Sequence, residues 1–446
     1  MVTMRNPDRG LNPLSAVIGL LAVLAAGPAL AQDAGQETGQ PGDWDTDAFL
    51  CRDLNLEPPL RIEACARALK APSLSAKVQV GLLSQRAMAF DEVGDYDKAI
   101  QDYDAAIVLT PRDPYLYLNR GVAKVRGGKP AAALPDYDQA IKLKPDWHLP
   151  YFDRAVALSD LGRGAEALAE YQRAIERNPD DAWIYVGQGD VLAASGDEAG
   201  ALTAYDHALA LRPDLDKARA RRAKVLLRLE RPQDAVAEMD RALADSASNA
   251  EWWRLRAQAK FALADFAGAI ADLQQAAEKA PQDTRILREL ALAQLAAGDD
   301  AAADATAQRA LAALANETAN VILAGQVALL RGQTDAATDF ARRAVALKPG
   351  DAHAQALLAL SLAPGGESEK AAQAAADFAP DDAELLAIAR HLGARSDHVA
   401  PRPSQATPAG KMLAACIANL ATGDLAAARQ SGARWSLCWV AAQPAP

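Results

Sequence analysis

The chain has 446 residues, half of them apolar but only 5% aromatic, and a formal net charge of −11 at pH 7. So acidic a chain is a poor generic binder of nucleic acid or of an anionic membrane. Alanine dominates the apolar fraction, and alanine is the best helix former; with no β-branched alternation in sight, an all-helical chain is favoured.

Residues 1–31 read as a secretory signal. Arg5 and Arg9 make a weakly positive start, residues 14–26 (LSAVIGLLAVLAA) an apolar run, and Ala29-Leu30-Ala31 a small-x-small cleavage site before Gln32. The alternative is a retained anchor. Cleavage would take the net charge to −12, because the segment carries Arg5, Arg9 and Asp8. A second apolar run of about 18 residues is missing, so no membrane span is expected after cleavage. Residues 32–43 (QDAGQETGQPGD) read as a flexible tether.

Residues 44–79 are expected to form a capping hairpin, with a first helix from Asp47, a break at Glu57-Pro58-Pro59 and a second helix over 60–70. Cysteines stand at Cys51, Cys65, Cys416 and Cys438. In an exported chain such pairs become disulfides, and Cys51–Cys65 with Cys416–Cys438 is the simplest of three pairings.

From residue 80 the chain repeats. Residues 94–113 read GDYDKAIQDYDAAIVLTPRD, a glycine turn followed by apolar positions at helical spacing and a proline stop. The same pattern returns every 34 residues. Eight units run in phase: 80–113, 114–147, 148–181, 182–215, 216–249, 250–283, 284–317 and 318–351. Position 8 of every unit is Ala or Gly, and positions 20 and 27 are always Ala. A tyrosine holds position 24 in the first four units (Tyr103, Tyr137, Tyr171, Tyr205), then gives way to Met239, Leu273, Ala307 and Ala341. The later units, being degenerate, are expected to pack less tightly.

This period and these columns resemble the tetratricopeptide repeat (TPR) family. The resemblance implies an all-α, right-handed α-solenoid of stacked antiparallel helix hairpins, a TPR superhelix, in which a first helix (A) lines a concave groove and a second (B) the outer wall. Beyond the eight units, residues 352–393 read as a degenerate unit and capping helix, 394–410 as a proline-rich linker, and 411–446 as a C-terminal helical hairpin.

Catalytic signatures are missing. His148, His207, His353, His391 and His398 fall in no metal spacing, and there is no G-x-S-x-G and no phosphate-binding loop. Gly162-x-Gly164-x-x-Ala167 follows a helix rather than a strand, so it is a turn and not a dinucleotide site. The Asp-Tyr-Asp triplets at 95–97, 102–104 and 136–138 do not fit a calcium loop and are expected on a solvated surface. No enzyme activity, cofactor or metal is expected.

What remains is binding. In relatives of this family, positions 2, 5, 9 and 12 of helix A face the groove. Here they give Tyr115, Leu118, Val122 and Val125 in unit two, Leu149, Phe152, Val156 and Ser159 in unit three, and Trp183, Val186, Asp190 and Ala193 in unit four. That stretch reads as apolar. Unit five gives Lys217 and Lys224, unit six Arg254, and unit seven Arg285 and Arg288, so the next stretch reads as basic. A protein or peptide partner with an apolar part followed by an acidic part is the expectation; the alternative is that these side chains only pack or are solvated. Ser84 and Met88 occupy the places where some relatives carry a carboxylate clamp, so that clamp is not expected. Exported, the protein reads as a scaffold in the periplasm or outside the cell, or as a holder of exported polypeptides. Oligomeric state is left open.

Overall fold

A computed structural model describes residues 43–362. Within them lie 19 helices and no strand. The first two, α1 (Asp43–Arg52) and α2 (Pro58–Ala68), form the expected hairpin. Pro58 and Pro59 do not break it. They occupy the first turn of α2, where a missing N–H costs nothing. Cys51 and Cys65 are disulfide-bonded and fully buried, together with Ala48, Ala64, Ala68 and Leu82. Cys416 and Cys438, the C-terminal hairpin, the linker, the signal and the tether lie outside the described residues.

The repeat helices follow the predicted phase closely. The first body contains α3 (Ala76–Glu92), α4 (Tyr96–Leu109), α5 (Pro114–Arg126), α6 (Pro130–Leu143), α7 (His148–Asp160), α8 (Gly164–Arg177), α9 (Ala182–Ala194) and α10 (Glu198–Leu211). Helix α11 (Asp216–Arg228) spans the division between two compact bodies, the first ending at Arg221 and the second starting at Arg222. The second body holds α12 (Pro232–Asp245), α13 (Ala250–Ala262), α14 (Phe266–Lys279), α15 (Thr284–Ala296), α16 (Asp300–Ala313), α17 (Thr318–Leu330), α18 (Thr334–Leu347) and α19 (Ala352–Leu362). Within each body, consecutive helices pack as antiparallel hairpins. Helix α3 starts four residues ahead of the repeat frame, because Ser75 caps it by accepting from the Val78 N–H.

Packing explains the three small-residue columns. Every alanine at positions 20 and 27 is completely buried, from Ala99 and Ala106 to Ala337 and Ala344. The degenerate later units bury these columns as fully as the first four, contrary to the looser packing expected. In units two and four position 8 faces the position-24 ring of its own hairpin. A Cβ on Gly121 would come within 2.6 Å of the Tyr137 ring, and one on Gly189 within 2.6 Å of the Tyr205 ring. In units two and four the tyrosine is thus accommodated by removing its neighbour's side chain, whereas units one and three keep Ala87 and Ala155 opposite Tyr103 and Tyr171.

Each hairpin turns through one residue with positive φ at position 15. Six are glycines, including Gly94 (φ 80°) and Gly128 (φ 74°), while Glu230 (φ 55°) and Ala264 (φ 61°) hold the same place in units five and six. The following N–H bonds back five residues, as from Lys129 to the Lys124 carbonyl at 2.8 Å, which closes helix A.

The triplets at 102–104 and 136–138 require a correction. Asp102 and Asp136 are buried, not solvated. Arg120 donates from Nη2 to Asp136 at 2.5 Å and from Nη1 to Asp104, on the previous hairpin, at 2.6 Å. Arg86 grips Asp102 through Nε and Nη2 at 2.8 and 2.6 Å. The first aspartate therefore ties helix B to its own helix A, the tyrosine enters the core, and the second aspartate reaches the next hairpin. The same two-carboxylate grip recurs with Arg154 on Glu170 and Asp138, and with Arg256 on Asp272 and Asp240.

Candidate binding face of the A helices

The positions expected to face a groove divide by burial. Leu118, Phe152, Val156 and Val186 are at most 2% exposed, so they build the core. Phe152 packs against Tyr171 with ring centroids 6.0 Å apart. Of the twelve residues of the apolar stretch six are thus interior, Val122 and Val125 included; Tyr115, Leu149, Ser159, Trp183, Asp190 and Ala193 are half-buried, and Tyr115 and Trp183 are the aromatic ones among them. Tyr115 belongs to a cluster. Its ring lies 4.6 Å from that of Trp147, and Lys144 Nζ sits 5.1 and 5.0 Å from the two centroids while donating to the Tyr115 hydroxyl at 3.0 Å.

The basic stretch is occupied by its own acids. Lys217, in the first body, is exposed. In the second body Lys224 pairs with Glu251 at 3.1 Å. Arg254 pairs with Glu251 at 2.8 Å and with Glu289 at 2.6 Å. Arg285 is bound to Asp283 at 2.8 Å, and Arg288 to Glu317 at 3.0 Å and Asn320 at 2.9 Å. Desolvation pushes the Glu251 carboxyl upward, but hydrogen bonds and charge from Arg254 and Lys224 outweigh it and hold the pKa at about 2. Burial instead keeps Glu289 above the usual range. The acidic half of the expected partner loses most of its argument, because four of the five cations, Lys224, Arg254, Arg285 and Arg288, are neutralised locally. The signal was present in the sequence as Glu251, Asp283, Glu289 and Glu317, which sit on or beside the same A helices.

Sequence reasoning also missed two carboxylates that tie successive A helices. Asp190 on α9 accepts from the Tyr205 hydroxyl at 2.8 Å and from Arg221 Nε at 2.9 Å. Asp91 on α3 is paired with Arg126 on α5, yet burial raises its pKa to about 6, Arg126 opposing and Glu92 adding to the shift. Among the described residues, no group of three or more His, Cys, Asp or Glu side chains could hold a metal ion, and no helix is long and apolar enough to cross a membrane.

Models of the tetratricopeptide repeat match residues 90–128, 152–216 and 192–259. The chain carries tetratricopeptide repeats. These repeats are protein-interaction modules, and no catalytic family is indicated. Among solved structures, the chain is similar to YrrB, described as a TPR protein with an unusual peptide-binding site. Identity is 19%, coverage 42% of this chain and 95% of YrrB, and the TM-score 0.37. It is also similar to PilW, a type IV pilus biogenesis factor, at 20% identity, 47% and 98% coverage and a TM-score of 0.44. The Cut9–Hcn1 hetero-tetramer of the APC/C matches at 14% identity, 71% and 62% coverage and a TM-score of 0.45. No curated protein matches the chain.

Proposed function

We propose that this TPR protein is an exported, non-enzymatic scaffold that holds a partner segment against its A helices. The observation that carries the reading is the half-buried aromatic surface of Tyr115 and Trp183, set on helices whose neighbours are fixed by packing. Aromatic side chains that are neither core nor solvated are favoured contact residues. Export is supported by the signal-like residues 1–31 and by the buried Cys51–Cys65 bond, since disulfides persist in oxidising compartments.

The test is co-purification from the cell-envelope fraction with the wild-type chain and with Tyr115→Ala plus Trp183→Ala. The scaffold reading expects a defined partner that the double variant loses. An unchanged partner set refutes it. A holder of exported polypeptides, the second reading, would instead show many clients and fast release.

A further inference from the structure

Position 31 of the repeat carries a cation in three of the eight units: Lys144 in unit two, Arg212 in unit four and Lys348 in unit eight. Two of them hold an acid of the turn that follows. Lys348 binds Asp351, at position 34, at 3.1 Å, and Arg212 binds Asp214, at position 33, at 3.2 Å. Lys144 does neither. Position 34 of its unit is Trp147, and the exposed Asp146 at position 33 is not engaged, so Lys144 has no carboxylate partner among the described residues. The exchange at position 34 has a cost. Asp113, Asp181, Asn249 and Asp283 hold that place before α5, α9, α13 and α15, and each side chain accepts from the N–H two residues on. Trp147 caps nothing at α7. The tryptophan gives up both the cap and the acid, and supplies a ring beside Tyr115 instead.

The result is an exposed lysine held in one place. Its Nζ lies 5.1 and 5.0 Å from the Tyr115 and Trp147 centroids and donates to the Tyr115 hydroxyl at 3.0 Å, while the two rings stand 4.6 Å apart. Trp147 is 8% exposed, so one wall of this arrangement is anchored in the core. An ammonium has three donors, and the hydroxyl takes one; ring faces attract its charge without using the others up. A lysine already fixed has less rotamer freedom to lose on binding than a solvated one. A fixed positive charge with spare donors selects a carboxylate, and the half-buried Tyr115 ring next to it suits an apolar neighbour. The three residues stand at positions 2, 31 and 34, apart from Ser84 and Met88, where the clamp of some relatives would lie.

We propose that Lys144, steadied by Tyr115 and Trp147, binds a carboxylate of the partner segment, whose adjoining apolar side chain lies on the Tyr115 ring. The proposal rests on the reading that the A helices hold a partner segment, and it names part of that segment's chemistry: an acidic residue beside an apolar one. It restores an acid to the expected partner, but at unit two rather than along units five to seven. Because Lys144 is exposed, salt screens the contact.

The experiment pans phage-displayed peptides of random sequence against the full chain. The selected peptide, and a copy with glutamine or asparagine in place of its acid, are then measured by fluorescence anisotropy near pH 7. Selection should enrich an acidic residue next to an apolar one. The acidic peptide should bind roughly three- to tenfold tighter than its amide copy, a charged hydrogen bond discounted for exposure. That preference should shrink between about 50 mM and about 500 mM salt. Lys144→Met keeps the stem on the rings and should abolish the preference with the thermal midpoint unchanged, since the residue is exposed. Tyr115→Phe, which removes only the hydroxyl that holds Nζ, should weaken it. A selection without acidic residues, or a preference for the acid that survives Lys144→Met, overturns the proposal. If neutral peptides are selected and depend on Tyr115 and Trp183, the partner reading stands and the carboxylate site alone falls. If no peptide is selected, the site falls as well, and the envelope co-purification decides the partner reading separately.

Discussion

Asp136 and Asp104 offer a clean experiment, because both bind the same arginine at nearly the same distance and differ in burial. Arg120 holds Asp136 at 2.5 Å and Asp104 at 2.6 Å, but the Asp136 side chain is 4% exposed and that of Asp104 54%. Asp136 also takes Lys124 Nζ at 2.7 Å. Asp136→Asn leaves two cations facing a neutral amide in a dry contact between α5 and α6. Breaking a buried pair costs about 3–5 kcal/mol, and because Arg120 and Lys124 keep some solvent the expectation is at the bottom of that range, ~3 kcal/mol. Asp104→Asn removes a largely exposed contact and should cost less than about 1 kcal/mol. The assay is urea denaturation followed by circular dichroism, with native-state hydrogen exchange on α5 and α6 to localise the loss. Equal costs for the two variants would refute the claim that burial, rather than the ion pair itself, sets the contribution.

Replacing Ala264 by Gly should stabilise the second body by about 1 kcal/mol, because a left-handed residue with a Cβ is strained, and Gly128→Ala should cost about 1–2 kcal/mol in the first. Denaturation midpoints moving the same way in both variants would contradict this. The Asp91 pKa of about 6 lies above its unfolded value, so ionised Asp91 costs stability above pH 6 and the cost disappears as pH falls towards 4. Asp91→Asn should therefore stabilise the chain by ~1–3 kcal/mol at pH 7.5 and by little at pH 4.5, seen as a thermal-midpoint shift. Glu251, with a pKa of about 2, has the opposite sign: its contribution is full above its unfolded pKa and lost as pH falls towards 2. Its partly exposed side chain limits that contribution to about 1 kcal/mol, measured with Glu251→Gln at pH 7 and pH 3. Cys51→Ser plus Cys65→Ser should cost ~3 kcal/mol, the entropy of closing a loop of that length, and should free α1 and α2 to exchange amide hydrogens faster.

Period and columns made the hairpins legible from sequence almost to the residue: helix A was expected to open units two to eight at 114, 148, 182, 216, 250, 284 and 318, and it does. These features are local and repeat, so eight copies average out the noise of any one. The face of the A helices was less legible. The family pattern turns positions 5 and 9 outward, yet Leu118, Phe152, Val156 and Val186 are core, because which side of a helix is covered depends on the neighbouring hairpin as well as its own spacing. Charge is hard to read for a related reason. Asp283, Glu289 and Glu317 stand outside positions 2, 5, 9 and 12, and Lys224, Arg254 and Arg288 are each paired across a helix–helix contact.

One signal in the sequence would have revealed the buried ion pairs without any coordinates. Position 7 of the eight units is Arg86, Arg120, Arg154, Gln188, Arg222, Arg256, Leu290 and Ala324, and position 23 is Asp102, Asp136, Glu170, Ala204, Glu238, Asp272, Thr306 and Phe340. An arginine is always accompanied by a carboxylate, and when the arginine goes the carboxylate goes with it. Solvated surface charges have no reason to vanish together, because each is satisfied by water alone. Two charges buried against one another must, since either left behind would be desolvated and unpaired. All five charged pairs are indeed in contact, from Arg86–Asp102 to Arg256–Asp272, with Arg222 reaching Glu238 at 3.2 Å. The repeats thus act as an alignment of the chain with itself, and joint loss across them separates a structural charge from a solvated one.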